Sequence, residues 1–252
     1  MPKPYLLISN DDGVNAKGIN FLIDTLRPVA DILVMAPDSP RSGYGCSITS
    51  EVPIRYKVLR EEPGLTVCSC TGTPTDCVKM ALNVFSDRRP DLVIGGINHG
   101  DNSSVNTHYS GTMGVATEGA LQGYPSVAFS LCDHRPDADF TPLAPYLVDF
   151  VFKSIAIGLP PFTCLNINFP RREKFEGVRV CRMARSRWQN ELARCEHPRG
   201  GEYFWLVGDC WEMEPDAPDT DRWALANGYV AVTPTRLDVT DNDLLEVLKD
   251  VL

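Results

Sequence analysis

Two adjacent carboxylates, Asp11 and Asp12, close the stretch Tyr5-Leu6-Leu7-Ile8-Ser9-Asn10 and are followed by Gly13. Carboxylates that converge on one centre repel unless a proton or a cation sits between them. A hard divalent cation with oxygen ligands is the natural occupant. A capped turn explains the same residues, because Asp, Asn and Gly are common after strands and before helices. Three further segments carry the same kind of side chain: Ser42-Gly43, the run Gly95-Gly96-Ile97-Asn98-His99-Gly100-Asp101-Asn102, and Ser110-Gly111-Thr112. Their residues are short oxygen ligands or glycines that let backbone approach a ligand. None is a Cys or His pair at zinc spacing. The combination implies Mg²⁺ or Mn²⁺ and a phosphorylated ligand. At Ser110-Gly111-Thr112, free N–H groups and the helix dipole suit a phosphate; an ordinary Ser/Thr cap is the plainer reading.

The elements that must position these residues follow an α/β rhythm. The apolar run ending at Ser9 reads as a buried parallel strand. Ligands in open α/β sheets sit beyond the carboxyl ends of the strands, which is where Asp11 and Asp12 fall. Ile19, Leu22, Ile23 and Leu26 share one helical face, and Asp31 to Ala36 is a second buried strand. The Pro-, Ser- and Gly-rich loop 37–45 lies at that strand's carboxyl end. Extended structure is expected over Ile48 to Leu59 and Leu65 to Cys70. A helix follows, capped at Thr75 or Asp76, with Val78, Ala81, Leu82 and Phe85 on its apolar face. Leu92 to Ile94, Ser126 to Ser130 and Leu165 to Phe169 read as further strands. Helices are expected after Tyr109 and over Leu143 to Ile155.

From Arg171 the helical repeats stop until Leu244 to Leu252, and β segments are expected at Val178–Arg182, Tyr203–Val207 and Tyr229–Val232. The predicted organisation is a Rossmann-like, three-layer α/β core over 1–170 with a mainly parallel sheet. A β-rich extension and a C-terminal helix occupy 171–252. This second part carries Trp188, Phe204, Trp205 and Trp211 among polar loops and is the expected oligomer interface.

The 252 residues carry a net charge of −9, which opposes binding to nucleic-acid polymers. A small anionic substrate remains compatible if a metal reverses the local sign. No apolar run reaches membrane-span length, and no secretory segment is read at the N-terminus, so the expected compartment is the cytoplasm. The nine cysteines are expected to be reduced, with Cys68-x-Cys70 serving packing.

The motifs resemble those of a known family, the stationary-phase survival protein SurE. They are Ser9-Asn10-Asp11-Asp12-Gly13 with Gly18, Ala36-Pro37-Asp38 with Ser42-Gly43, and Thr71-Gly72-Thr73-Pro74 with Asp76-Cys77. They continue through Gly95-Gly96-Ile97-Asn98, Gly100, Asn102 and Tyr109-Ser110-Gly111-Thr112. Late in the chain come Gly201, Tyr203, Trp205-Leu206, Thr220-Asp221, Gly228-Tyr229-Val230 and Thr233-Pro234. The flanks of Ser42-Gly43 and the serine-rich stretch Asp101–Val105 depart from the pattern. The resemblance implies a metal-dependent phosphatase of nucleoside 5′- and 3′-monophosphates, in some members also of short polyphosphate, assembled as a dimer or tetramer. Carried over by position, one divalent cation would be held by Asp11, Asp12, Ser42 and Asn98. Asn10, Gly43, Asn102, Ser110, Gly111 and Thr112 would contact the phosphate or the substrate.

Competing readings fit less well. A haloacid-dehalogenase-type phosphatase needs a nucleophilic aspartate where Asn10 stands. A nucleoside hydrolase carries more carboxylates in its first loop. A phospho-receiver domain needs an acceptor aspartate after a central strand, and Ile94 to Asn98 contains none. A dinucleotide fold needs Gly-x-Gly-x-x-Gly after the first strand. Which of Asp11 and Asp12 acts as base, and whether either becomes phosphorylated, stays open. His99 and His108 read as solvated or structural loop residues before acid–base candidates.

Overall fold

The computed structural model describes residues 2–85 and 87–252. Its first strand, β1 (Tyr5–Ser9), lies at the centre of the molecule. It pairs in parallel with β2 (Asp31–Pro37) on one side and β5 (Leu92–His99) on the other. Alternation along β1 sends Leu6 and Ile8 to one face and Leu7 to the other. Both faces are covered, so all three side chains are at most 1% exposed. That explains a continuous apolar run in place of an alternating one.

Helix α1 (Lys17–Leu26) buries Ile19, Leu22, Ile23 and Leu26, the face read from the sequence. After β2 come β3 (Tyr56–Glu62) and β4 (Leu65–Cys70), an antiparallel pair. The expected extended segment therefore begins at Tyr56 and not at Ile48. Helix α2 (Pro74–Met80) is capped by Thr73, not by Thr75 or Asp76. Pro74 takes the first helical position, which puts Asp76 at N3. There its carboxylate accepts from the Thr73 N–H at 2.9 Å while Thr73 Oγ1 accepts from the Asp76 N–H at 3.1 Å. A π-helical turn over Ala81–Phe85 follows, so Leu82 and Phe85 continue the apolar face outside the α-helix.

The chain then runs through β5, helix α3 (Gly111–Leu121), β6 (Ser126–Leu131), helix α4 (Ala144–Ile157) and β7 (Thr163–Phe169). Helices α1 and α4 pack on one face of the sheet, and α2 and α3 on the other. The result is a three-layer α/β sandwich. Gly18 lets α1 approach β5 closely, because a Cβ there would fall 2.1 Å from the Ile97 carbonyl oxygen.

Beyond residue 170 the chain forms β8 (Val178–Val180), β9 (Ser186–Gln189), β10 (Leu192–Glu196), β11 (Glu202–Leu206) and β12 (Asp209–Glu212). A short helix α5 (Asp221–Ala226), strand β13 (Val230–Arg236) and helix α6 (Asn242–Val251) complete it. Helix α5 corrects the expectation that no helix precedes the C-terminal one. Its six residues are too few to show a 3.6-residue repeat. Strand β13 pairs antiparallel with β7 and parallel with β8, so part of the late segment completes the main sheet. Among the described residues that sheet has nine strands, in the order β3-β4-β2-β1-β5-β6-β7-β13-β8. The pairs β10–β11 and β9–β12 stand apart from it. No helix among the described residues is long and apolar enough to cross a membrane.

Candidate active site

The carboxyl ends of β1, β2 and β5 open into a cleft of about 820 Å³. Asp11, Ser42, Gly43, Asn98, Asn102 and Ser110 line it. Three strand-end loops and one helix start thus meet, as the parallel order around β1 requires.

Asp11 is only 4% exposed. Its Oδ1 accepts from Thr112 Oγ1 at 2.6 Å, and its backbone carbonyl accepts from the Arg41 N–H at 2.7 Å. Burial pushes its carboxyl up to about 6, against the pull of the Thr112 hydroxyl, and the nearby Asp12 charge pushes the same way. Gly111 leaves room for this carboxylate, since a Cβ there would sit 2.6 Å from the Asp11 Cβ. Asp12 Oδ2 accepts from the His99 N–H at 3.2 Å. Burial raises its carboxyl too, opposed by the bond from His99 and by the fields of His99 and His134. The two acids repel within a mostly buried turn, and among the described residues no lysine or arginine side chain is paired with either.

Asn98 donates through Nδ2 to the Gly100 carbonyl at 2.9 Å and to Asn102 Oδ1 at 3.4 Å. Its oxygen is therefore the atom free to face a cation. Asn102 is held by β6 and β7. Its Nδ2 donates to Ser130 Oγ at 2.6 Å, its N–H to Asn168 Oδ1 at 2.8 Å, and its carbonyl accepts from Asn166 Nδ2 at 2.7 Å. Ser110 caps α3, its Oγ accepting from the Met113 N–H at 3.0 Å. Gly43 adopts φ +80° in the exposed loop after β2, with no atom within 4 Å of a Cβ position.

Some residues placed at the substrate from sequence hold other positions. Asn10 is fully buried, does not line the cleft, and donates through Nδ2 to the Gly13 carbonyl at 3.0 Å. Its Oδ1 is buried without a hydrogen-bond donor. Thr112 and Gly111 touch Asp11 rather than the open cleft. His99 lines the cleft with its ring edge-on to Phe140 at 5.0 Å, whereas His108 is exposed and outside it.

Sequence reasoning missed the far wall. His134, Asn106, Trp188, Cys210 and Arg222 also line the cleft, Trp188 in place of the expected oligomer contact, and they are joined by Asp101 from the run already singled out. Four of these lie more than thirty residues from Asn102 and come together only through folding. Asn166 and Asn168 carried a readable signal: two amides on one face of an apolar strand need partners when buried.

Asp11, Ser42 and Asn98 bring a carboxylate, a hydroxyl and an amide oxygen to the cleft, and Asp12 stands next to Asp11 in the chain without lining it. That set suits a hard divalent cation better than zinc or a soft metal. The buried, donorless Asn10 oxygen and the raised Asp11 carboxyl both favour a positive charge in this turn.

A family model described as Survival protein SurE matches residues 6–190. The protein named 5′-nucleotidase SurE from Phocaeicola vulgatus is 57% identical over 248 residues, which cover 98% of this chain and 96% of the relative. Its namesake from Bacteroides thetaiotaomicron is 54% identical over 246 residues, covering 98% and 95%. The crystal structure of the SurE protein from Aquifex aeolicus superposes with a TM-score of 0.83 at 34% identity, covering 98% of this chain and 99% of its own.

Proposed function

This chain belongs to the SurE family, and from that premise we propose that it is a divalent-metal-dependent nucleotidase. It hydrolyses nucleoside 5′- and 3′-monophosphates to nucleoside and phosphate, with short polyphosphate as a further substrate. The relatives' shared name supports the nucleotidase assignment. The single observation behind metal dependence is the pairing of Asp11, which lines the cleft, with the neighbouring Asp12, two carboxyls both raised by burial.

Asp11, Asp12, Ser42 and Asn98 would hold one Mg²⁺ or Mn²⁺. Bound there, the ion supplies charge neutralisation for phosphoryl oxygens and a more acidic water. The chain's own residues do the positioning. Thr112 and Gly111 fix the Asp11 carboxylate, Ser130, Asn166 and Asn168 fix the Asn102 loop, and the capped start of α3 directs its dipole at an anion. The same reading keeps the protein in the cytoplasm and assembles it as a homodimer or homotetramer through residues 171–252.

A phosphate-release screen tests it. Nucleoside monophosphates are offered with Mg²⁺, with Mn²⁺ and with excess chelator. Release with a metal and its loss with chelator are expected. Undiminished release after rigorous metal removal refutes the metal role.

A further inference from the structure

The cleft is much larger than a phosphate, and its two sides differ in chemistry. Oxygen-bearing residues from the strand ends line one part, and the extension lines another with Trp188, Leu206 and Val207 beside Glu191, Cys210 and Arg222. Trp188 lies on β9, pairs across to Cys210 on β12 and is half-buried. Its indole Nε1–H donates to Asn106 Oδ1 at 3.0 Å. The only polar atom of the side chain is thereby committed, and the ring's remaining offer to a ligand is its π surface.

The wall is tied to the core. Ser104, in the same short 3₁₀ segment as Asn106, donates through Oγ to the Ala184 carbonyl at 2.8 Å and contacts Ser186 Oγ. The buried Asp221 carboxylate accepts from the Ser104 N–H at 2.8 Å and the Ala184 N–H at 2.9 Å. The strand that carries Trp188 is therefore fixed relative to the end of β5, which carries Asn98, and the following loop, which carries Asn102.

We propose that Trp188 is the platform on which the substrate's nucleobase stacks, with Asn106 as the positioning residue that sets the plane of the indole. The proposal rests on the nucleotidase reading and deepens it: the base, and not only the phosphate, is recognised, and the larger π face of a purine gains more than that of a pyrimidine. Aromatic platforms hold bases without reading their edges, because every base has a π face. A tryptophan that merely covered the core would not need to line an 820 Å³ cleft with its ring nitrogen already bonded.

The test uses the full chain with Mn²⁺ and two substrates, adenosine 5′-monophosphate and ribose 5-phosphate, which lacks the base. Trp188→Ala is expected to lower kcat/KM for the nucleotide about tenfold, the scale of one base–aromatic stack. The loss falls in KM, and ribose 5-phosphate hydrolysis stays unchanged. Trp188→Phe recovers much of the loss, and Asn106→Ala reproduces part of it where Asn106→Asp, which keeps an acceptor, does not. Equal losses on both substrates, or no loss on the nucleotide, overturn the platform. Adenosine alone, titrated against tryptophan fluorescence, separates this from the catalytic reading. Quenching in the parent that disappears in Trp188→Phe supports the platform even if no phosphate is released. Equal quenching in both proteins, or none in the parent, overturns it.

Discussion

Replacing Asp11 by Asn should make the metal-free protein more stable at neutral pH while abolishing turnover. The magnitude follows from burial. The Asp11 carboxyl is 4% exposed and its pKa rises from 3.8 to about 6 in the folded protein. One pKa unit corresponds to about 1.4 kcal/mol, so the ionised carboxylate costs the folded state about 3 kcal/mol. The sign is that of a raised acid. Below pH 3.8 both folded and unfolded chains hold the proton, and no penalty exists. Stability falls as pH rises from 3.8 to about 6 and stays lower above it. An amide removes the charge at every pH. Its nitrogen replaces an oxygen in a closed pocket, which gives back about 1 kcal/mol through an imperfect hydrogen bond. The net gain at pH 7.5 is about 2 kcal/mol, or about 4–8 °C in Tm for a chain of this size.

The assay is thermal or urea unfolding in chelator at pH 7.5 and at pH 4, repeated with excess Mn²⁺. Asp11→Asn should exceed the parent at pH 7.5 and fall slightly below it near pH 4, where the charge penalty has gone and the imperfect amide bond remains. Added metal should raise the parent and leave the variant where it was, reversing the order. Phosphate release should vanish in the variant at all metal concentrations. If Asp11→Asn is no more stable than the parent in chelator at pH 7.5, the raised carboxyl is not a source of stored strain. If the variant also turns over normally, Asp11 is only a turn residue.

Thr112→Val keeps shape but removes the 2.6 Å donor to Asp11; in the metal-free protein the carboxyl should rise further, so the loss of stability with rising pH in chelator should extend to higher pH, and an unmoved pH dependence contradicts the positioning role. Asp221→Ala leaves the Ser104 and Ala184 N–H groups without their acceptor; a loss of about 3 kcal/mol is expected, read in urea unfolding together with faster proteolysis within 185–215, and a parent-like unfolding curve argues against the strap. Helix α6 buries none of its residues and exposes Leu244, Leu245 and Leu248; a ten-residue helix is marginal in water without a partner, so light scattering should show a dimer or larger at micromolar concentration, and a monomer refutes the interface.

The core was legible because its signals are local. The apolar run into Asp11 and Asp12, the face of α1, and the Ser110 cap of α3 each show within about ten residues. The placement of Asp11, Ser42, Gly43, Asn98, Asn102 and Ser110 around one cleft followed from the rule that strand ends carry the site. The cap of α2 was misplaced because Thr73, Thr75 and Asp76 are all competent caps. The choice among them is made by Pro74 at N1, which commits Asp76 to the reciprocal N3 bond. Ile48 to Arg55 is rich in extended-chain residues yet pairs with no strand among the described residues. Strands β9 and β12 alternate between exposed and half-buried residues on a free-standing ribbon, which leaves little hydrophobic period to detect. Asn10 looked like a ligand by its place in the motif. The fold uses its amide to close the turn on Gly13 instead.

The same division separates the chemistry of the site. In the function proposed above, strand ends supply the residues that would meet phosphate, and the extension supplies the wall that would meet the base. One ionic chain joins them. Arg222, on α5, contacts Asp101 at 3.3 Å and Glu212 at 2.7 Å, and Asp101 in turn accepts from Asn106 at 3.4 Å and from Ser103. Asp101 and Arg222 are 16% and 26% exposed, so each is costly to leave unpaired. Their pairing adds little net stability but fixes the orientation of the wall against the end of β5. A substitution within the wall, at Trp188 for example, should therefore change which nucleotide binds without changing how its phosphate is attacked. Breaking the Asp101–Arg222 link should change both, because Asp101 sits between Asn98 and Asn102 on one side and the anchor of Trp188 on the other.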